Sequence, residues 1–92
     1  MNKEQILISI TGQDRPGLTA SVMGILAKYD AQILDMGQAD IHNTLCLGIL
    51  IRVKEQNSGN VMKHVLFRAQ ELGVNIQFEP ITEDDYCDWV SR

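Results

Sequence analysis

Ninety-two residues, 45% of them apolar and 22% charged, with a formal charge of −4, describe one ordinary folded domain with a single modest core. The eight lysines and arginines are scattered, so the basic footprint of nucleic-acid binding is missing and no nucleic-acid partner is expected. The longest apolar run, Leu45 to Ile51, is too short to cross a bilayer, and Met1-Asn2-Lys3-Glu4 lacks the apolar core of a signal peptide. No membrane partner is expected, and the expected location is cytoplasmic.

Gln5 to Thr11 alternates, with Ile6, Ile8 and Ile10 on one face and Leu7, Ser9 and Thr11 on the other, which predicts a first strand. From Leu18 the apolar spacing becomes helical through Val22, Ile25, Leu26 and Tyr29, so a helix is predicted from about Pro16 to about Tyr29. Gln32 to Ile41 reads as a second strand, with Gly37 marking a bulge or a close backbone approach. His42-Asn43 supplies turn chemistry, and Thr44 to Val53 should return as a hairpin partner. Both faces of that third strand are largely apolar.

Gln56-Asn57-Ser58-Gly59-Asn60 reads as a loop ending near a helix cap. Val61, Val65, Leu66, Ala69 and Leu72 predict a second amphipathic helix that Gly73 can terminate. Val74, Ile76 and Phe78 alternate with Asn75, Gln77 and Glu79 as a fourth strand, stopped by Pro80. The order βαββαβ predicts an α+β, ferredoxin-like fold: a four-stranded antiparallel sheet with two helices on one face. Leu7, Cys46 and Leu50 would then lie uncovered on the other face, where apolar surface tends to find a partner.

The segment Gly12-Gln13-Asp14-Arg15-Pro16-Gly17-Leu18 falls at the first strand-to-helix turn. Proline suits a first helical turn, leaving the amides of Gly17 and Leu18 pointing outward to hold an anion. The same residues also make a plain turn and cap, with Asp14 capping the helix and no ligand at all.

With this turn inside a βαββαβ order, the chain resembles the ACT domain, a small-molecule-binding module of amino-acid metabolism, over about residues 4 to 82. Within that family it is similar to the N-terminal ACT region of bacterial phosphoserine phosphatases, which carries a similar Thr-Gly-x-Asp-Arg-Pro-Gly turn. Ile33-Leu34-Asp35-Met36-Gly37-Gln38, Leu45-Cys46-Leu47-Gly48-Ile49-Leu50 and the tail Ile81 to Trp89 resemble the second strand, third strand and linker of that group. The resemblance divides the chain into an ACT domain, 1–82, and a linker-like acidic tail, 83–92, and implies a regulatory domain cut from a longer enzyme of serine biosynthesis.

Chemistry in those phosphatases belongs to a following haloacid-dehalogenase-type domain with an aspartate nucleophile, a second aspartate two residues later, and Mg²⁺. Here no two of Asp14, Asp30, Asp35, Asp40, Asp84, Asp85 and Asp88 have that spacing, so no catalytic residue and no cofactor are expected in this chain.

An amino-acid ligand needs donors for its carboxylate and an acceptor for its ammonium. The resemblance implies L-serine at a seam between two ACT modules, as a homodimer or tandem repeat. Gly17 and Leu18 would hold the carboxylate, Asp14 the ammonium, and Asp35 and Gln38 of the second strand would face the loop of a partner. Two readings stay beside this one: a free-standing ACT protein regulating amino-acid metabolism, and a small acylphosphatase-type hydrolase. The hydrolase would require an Arg and an Asn at a phosphate loop where Asp14 would repel phosphate.

The remaining reactive residues carry less. Cys46 and Cys87 match no zinc or redox spacing and read as reduced thiols. His42 in a turn and His64 on the polar side of a helix have no partner ligands in sequence, so no metal site is expected. Glu83, Asp84, Asp85 and Asp88 read as a solvated linker, Trp89 as a residue able to dock on a neighbour, and Met23, Met36 and Met62 as core fill.

Overall fold

In a computed structural model, which describes residues 3–13 and 16–81, the fold is organised by two interior strands. β1 (Lys3–Gln13) pairs antiparallel with β3 (Thr44–Lys54), so that Ile6, Ile8 and Ile10 lie opposite Ile51, Ile49 and Leu47. Residues directly opposite share a face of the sheet, and all six are buried. Outside them β2 (Gln32–Ile41) pairs with β3 and β4 (Asn75–Ile81) with β1, both antiparallel, giving the sheet order β2-β3-β1-β4. Helices α1 (Leu18–Lys28) and α2 (Glu55–Leu72) bury Leu18, Val22, Leu26, Val61, Val65 and Ala69 against the isoleucine face. The α+β, ferredoxin-like order predicted from sequence is the one found.

α2, β4 and β2 each differ in one feature from the sequence reading. α2 begins at Glu55, so the expected loop Gln56–Asn60 is helical. Two of its polar residues are taken up by hydrogen bonds: Ser58, buried, donates through Oγ to the Glu55 carbonyl at 3.0 Å within the helix, and the Asn57 side-chain amide donates to the distant Tyr29 carbonyl at 3.3 Å. Pro80 does not stop β4 but pairs with Ile6; β4 is an edge strand, where the missing N–H can face outward. The irregularity in β2 lies between Ile33 and Asp35, not at Gly37, which pairs in register with Gly48.

That bulge sets the faces of β2. Ile33 and Met36 share the helix side with Ile51 and Ile49, while Asp35 turns to the open side opposite Leu50. Every residue of β2 is exposed except the half-buried Leu34, and Met36 is 47% exposed rather than the core fill expected of it; Met23 and Met62 do pack against the core. On the open face Cys46 is exposed as expected, but Leu7 is half-buried and Leu50 only 8% exposed. Leu50 occupies an interior strand with Leu7 and Asp35 on either side.

Both helices close in the same way. Ala31 and Asp30 amides donate to Leu26 and Ala27 carbonyls after α1, and Val74 and Gly73 amides to Ala69 and Gln70 after α2, the paired bonds of a Schellman ending. The left-handed residue is Gly73 in one, at φ 70°, and Asp30 in the other, at φ 56°. Asp30→Gly removes a side-chain penalty at an unchanged backbone, so it should stabilise the domain by about 0.5–1 kcal/mol and raise Tm by about 2–8 °C. Thermal unfolding followed by circular dichroism checks this, and a lowered Tm would contradict it.

Candidate functional site

β1 leaves the sheet after Gln13, the partner of Thr44. Pro16 and Gly17 form an exposed turn, and α1 starts at Leu18, later than the start at Pro16 read from sequence. Gly17 has φ 82° and ψ −2°, a conformation that a Cβ disfavours. Among the described residues, chain neighbours aside, no heavy atom lies within 4 Å of where that Cβ would stand, so what calls for glycine here is the backbone conformation.

Leu18 points its side chain into the core, 1% exposed, and thereby fixes the first helical turn. The Ser21 amide donates to the Gly17 carbonyl at 2.9 Å as the first helical bond. The amides of Leu18, Thr19 and Ala20 precede it and have no partner within the helix. Aligned peptide dipoles add partial positive charge at the same place, which suits a carboxylate. Of the residues named for this site, Asp14, together with Arg15, lies outside the described residues.

Asp35 and Gln38 do not come together. Asp35 is exposed on the open side of β2, whereas Gln38 pairs with Leu47 on the helix side. The residue that joins Gln38 is Asp40, whose Oδ2 accepts from Gln38 Nε2 at 3.4 Å. Asp40 shares a row with Leu45 and Gly12, so it stands two strand spacings, about 10 Å, from the strand that feeds the turn. Asp40 was missed by the sequence reading, although strict alternation puts residues 38 and 40 on one face and 35 on the other. The turn and the exposed end of β2 therefore open at the same end of the sheet.

The other reactive groups lie apart from this end or alone. His42 is exposed, at φ 50°, in the two-residue hairpin turn with Asn43 at φ 66°, the positive pair that such turns demand. The ring of His64 is half-buried, with its centroid 5.4 Å from that of Tyr29, a contact between helices rather than a free polar face. Among the described residues no three His, Cys, Asp or Glu side chains group closely enough to hold a metal. No helix there is long and apolar enough to cross a membrane.

The chain is thus a small α+β domain of ferredoxin-like order whose strand β2 is an exposed edge. Residues 4–79 match the sequence model of the ACT domain, and this chain belongs to the ACT domain family. Its relatives differ in size. It is 37% identical over 49 residues to a phosphoserine phosphatase of Mycobacterium tuberculosis, a match spanning 53% of this chain and 12% of that one. It is 28% identical over 74 residues to a UPF0237 protein of Methanocaldococcus jannaschii, spanning 78% of this chain and 82% of that one.

Among solved structures, one assigned as a glycine cleavage system transcriptional repressor superposes with a TM-score of 0.84 at 20% identity, covering 89% of this chain and 48% of that one. An ACT domain protein from Streptococcus pneumoniae gives 0.71 at 21% identity, covering 86% and 91%. At such identities these likenesses concern the fold.

The two glycines of α1 and its approach separate conformation from space. Gly17→Ala should cost about 1–2 kcal/mol because of its left-handed φ. Gly24→Ala, in an exposed helical position with open space around it, should gain about 0.5–1 kcal/mol. Urea unfolding of the two variants checks the opposite signs.

Proposed function

We propose that this chain is a regulatory ACT module that senses a small amino acid, L-serine being the first candidate, and that a second ACT module completes its site. The observation that carries this reading is the start of α1, where Leu18 is buried and the amides of residues 18–20 precede the first helical bond, from Ser21 to Gly17. A carboxylate would accept from those amides. The ammonium would take its acceptor from Asp14 or from β2 of the partner, where Gln38 and Asp40 offer oxygens on one face and Asp35 on the other. The module binds and transmits; it does not itself catalyse.

The partner is supported by β2. It is an exposed edge of ten residues carrying Ile33, Met36 and Ile41 outward at 43%, 47% and 60% exposure. From Asp35 to Ile41 it has no proline, no lysine and no bulge to discourage strand pairing. For the protein as a whole, the 28% identity to the Methanocaldococcus jannaschii protein, over 82% of that chain, supports the reading of a free-standing regulator. The 37% identity to the phosphatase supports the second reading, the regulatory region of a cytoplasmic phosphoserine phosphatase whose Mg²⁺ chemistry would reside in another domain.

Isothermal titration with L-serine and glycine is expected to give saturable heat at millimolar ligand or below, and no turnover of phosphoserine is expected from these residues alone. A confirmed dimer that gives no heat with either amino acid would sink the sensing proposal. Met36→Lys places a charge on the β2 edge and should convert a dimer to a monomer by light scattering while weakening amino-acid binding. A dimer unchanged by that substitution would move the partner away from β2.

A further inference from the structure

One core contact reaches the entry to the turn from the corner between α2 and β4, distant in sequence but at the same end of the sheet. Gly12 is the next-to-last residue of β1, and its partner on β3 is Leu45, on the helix side. A Cβ placed on Gly12 would meet Val74 Cγ1 at 2.8 Å, Cβ at 2.9 Å and Cα at 3.1 Å. The Val74 isopropyl group thus occupies the place of the side chain that Gly12 lacks. Val74 is itself tightly set: it is 8% exposed, follows the left-handed Gly73, and its amide donates to Ala69 at 3.0 Å. Val74, Leu45 and Leu18 belong to one buried cluster.

We propose that Val74 is a positioning residue for the β1–α1 turn. Two anchors flank the turn, Gly12 beneath Val74 on the β1 side and Leu18 in the core on the α1 side. Close packing leaves no slack at the first anchor, so the volume at position 74 sets where β1 releases the chain and how the amides of residues 18–20 are presented. The corner between α2 and β4 is thereby coupled mechanically to the turn. Its consequence for ligand affinity rests on the amino-acid-sensing reading above; the positioning itself does not.

The test compares Val74→Ala and Gly12→Ala with Val61→Ala. Val61 is fully buried in the half of α2 whose Asn57 and His64 touch Tyr29, at the opposite end of α1 from the turn. Hydrogen exchange is read at the Ser21 amide, the first hydrogen-bonded amide of α1, and L-serine affinity by titration. Relative to any change in global stability, exchange at Ser21 should rise about tenfold in the first two variants and stay within about twofold in the third. Affinity should fall in the same pattern, by about tenfold against about twofold. Exchange at Ser21 that rises no more in Val74→Ala than in Val61→Ala would overturn the proposal. If the unaltered protein binds no amino acid, the sensing reading fails while Ser21 exchange still decides the positioning.

Discussion

The pairing of β1 with β3 is the constraint on which the rest depends. These are the interior strands, and the facing residues Ile6 and Ile51, Ile8 and Ile49, and Ile10 and Leu47 are all buried beneath the helices. Burying each such side chain is worth about 1.5–3 kcal/mol. A slip of one residue would turn all three β1 isoleucines to the open face, so the apolar pattern selects one register. That register also sets Gly12 beside Leu45 and Gln13 beside Thr44, and so determines the point at which the chain leaves the sheet for α1.

The edges are treated differently. β4 is tied into the body by Val74, Ile76 and Phe78, which join or pack against the core. β2 is attached through its pairing with β3 and keeps its helix-side residues exposed, with the bulge at Leu34 turning Ile33 and Met36 to the same side. Gln38 and Asp40 continue that side toward the end where the turn opens. The domain therefore has one consolidated flank and one flank whose backbone and side chains are available to another chain.

Element type and order were legible because each strand and helix repeats its apolar residues at the proper period, as Ile6, Ile8 and Ile10 do for β1 and Leu18, Val22 and Leu26 for α1. Residues 56–60 misled because Asn, Ser and Gly favour loops locally, whereas Asn57 and Ser58 are used here by a tertiary and a helical hydrogen bond. Pro80 misled because its tolerance depends on lying at an edge, which only the sheet order reveals. The turn was legible as the connection from the first strand to the first helix, but not the reasons for its glycines: Gly17 answers to φ and Gly12 to Val74, a residue sixty-two positions away in sequence. Pairing Asp35 with Gln38 ignored the alternation that had been used correctly for β1.

The amount of binding energy that one module can supply bears on why two would be needed. A millimolar dissociation constant requires about 4 kcal/mol. An exposed helix start contributes about 0.3–1 kcal/mol toward an anion, and Pro16 and Gly17, which lead into this one, are exposed. The deficit, roughly 3 kcal/mol, calls for a second wall that excludes water and supplies an acceptor for the ammonium. If that wall is the β2 flank of another module, ligand binding and module pairing share the same contacts. Linkage then requires each to strengthen the other by an equal factor. A sensor of that construction would need no moving part within the domain: occupancy of the turn would be reported as assembly, and the packing of Val74 on Gly12 would hold the reporting surface in place.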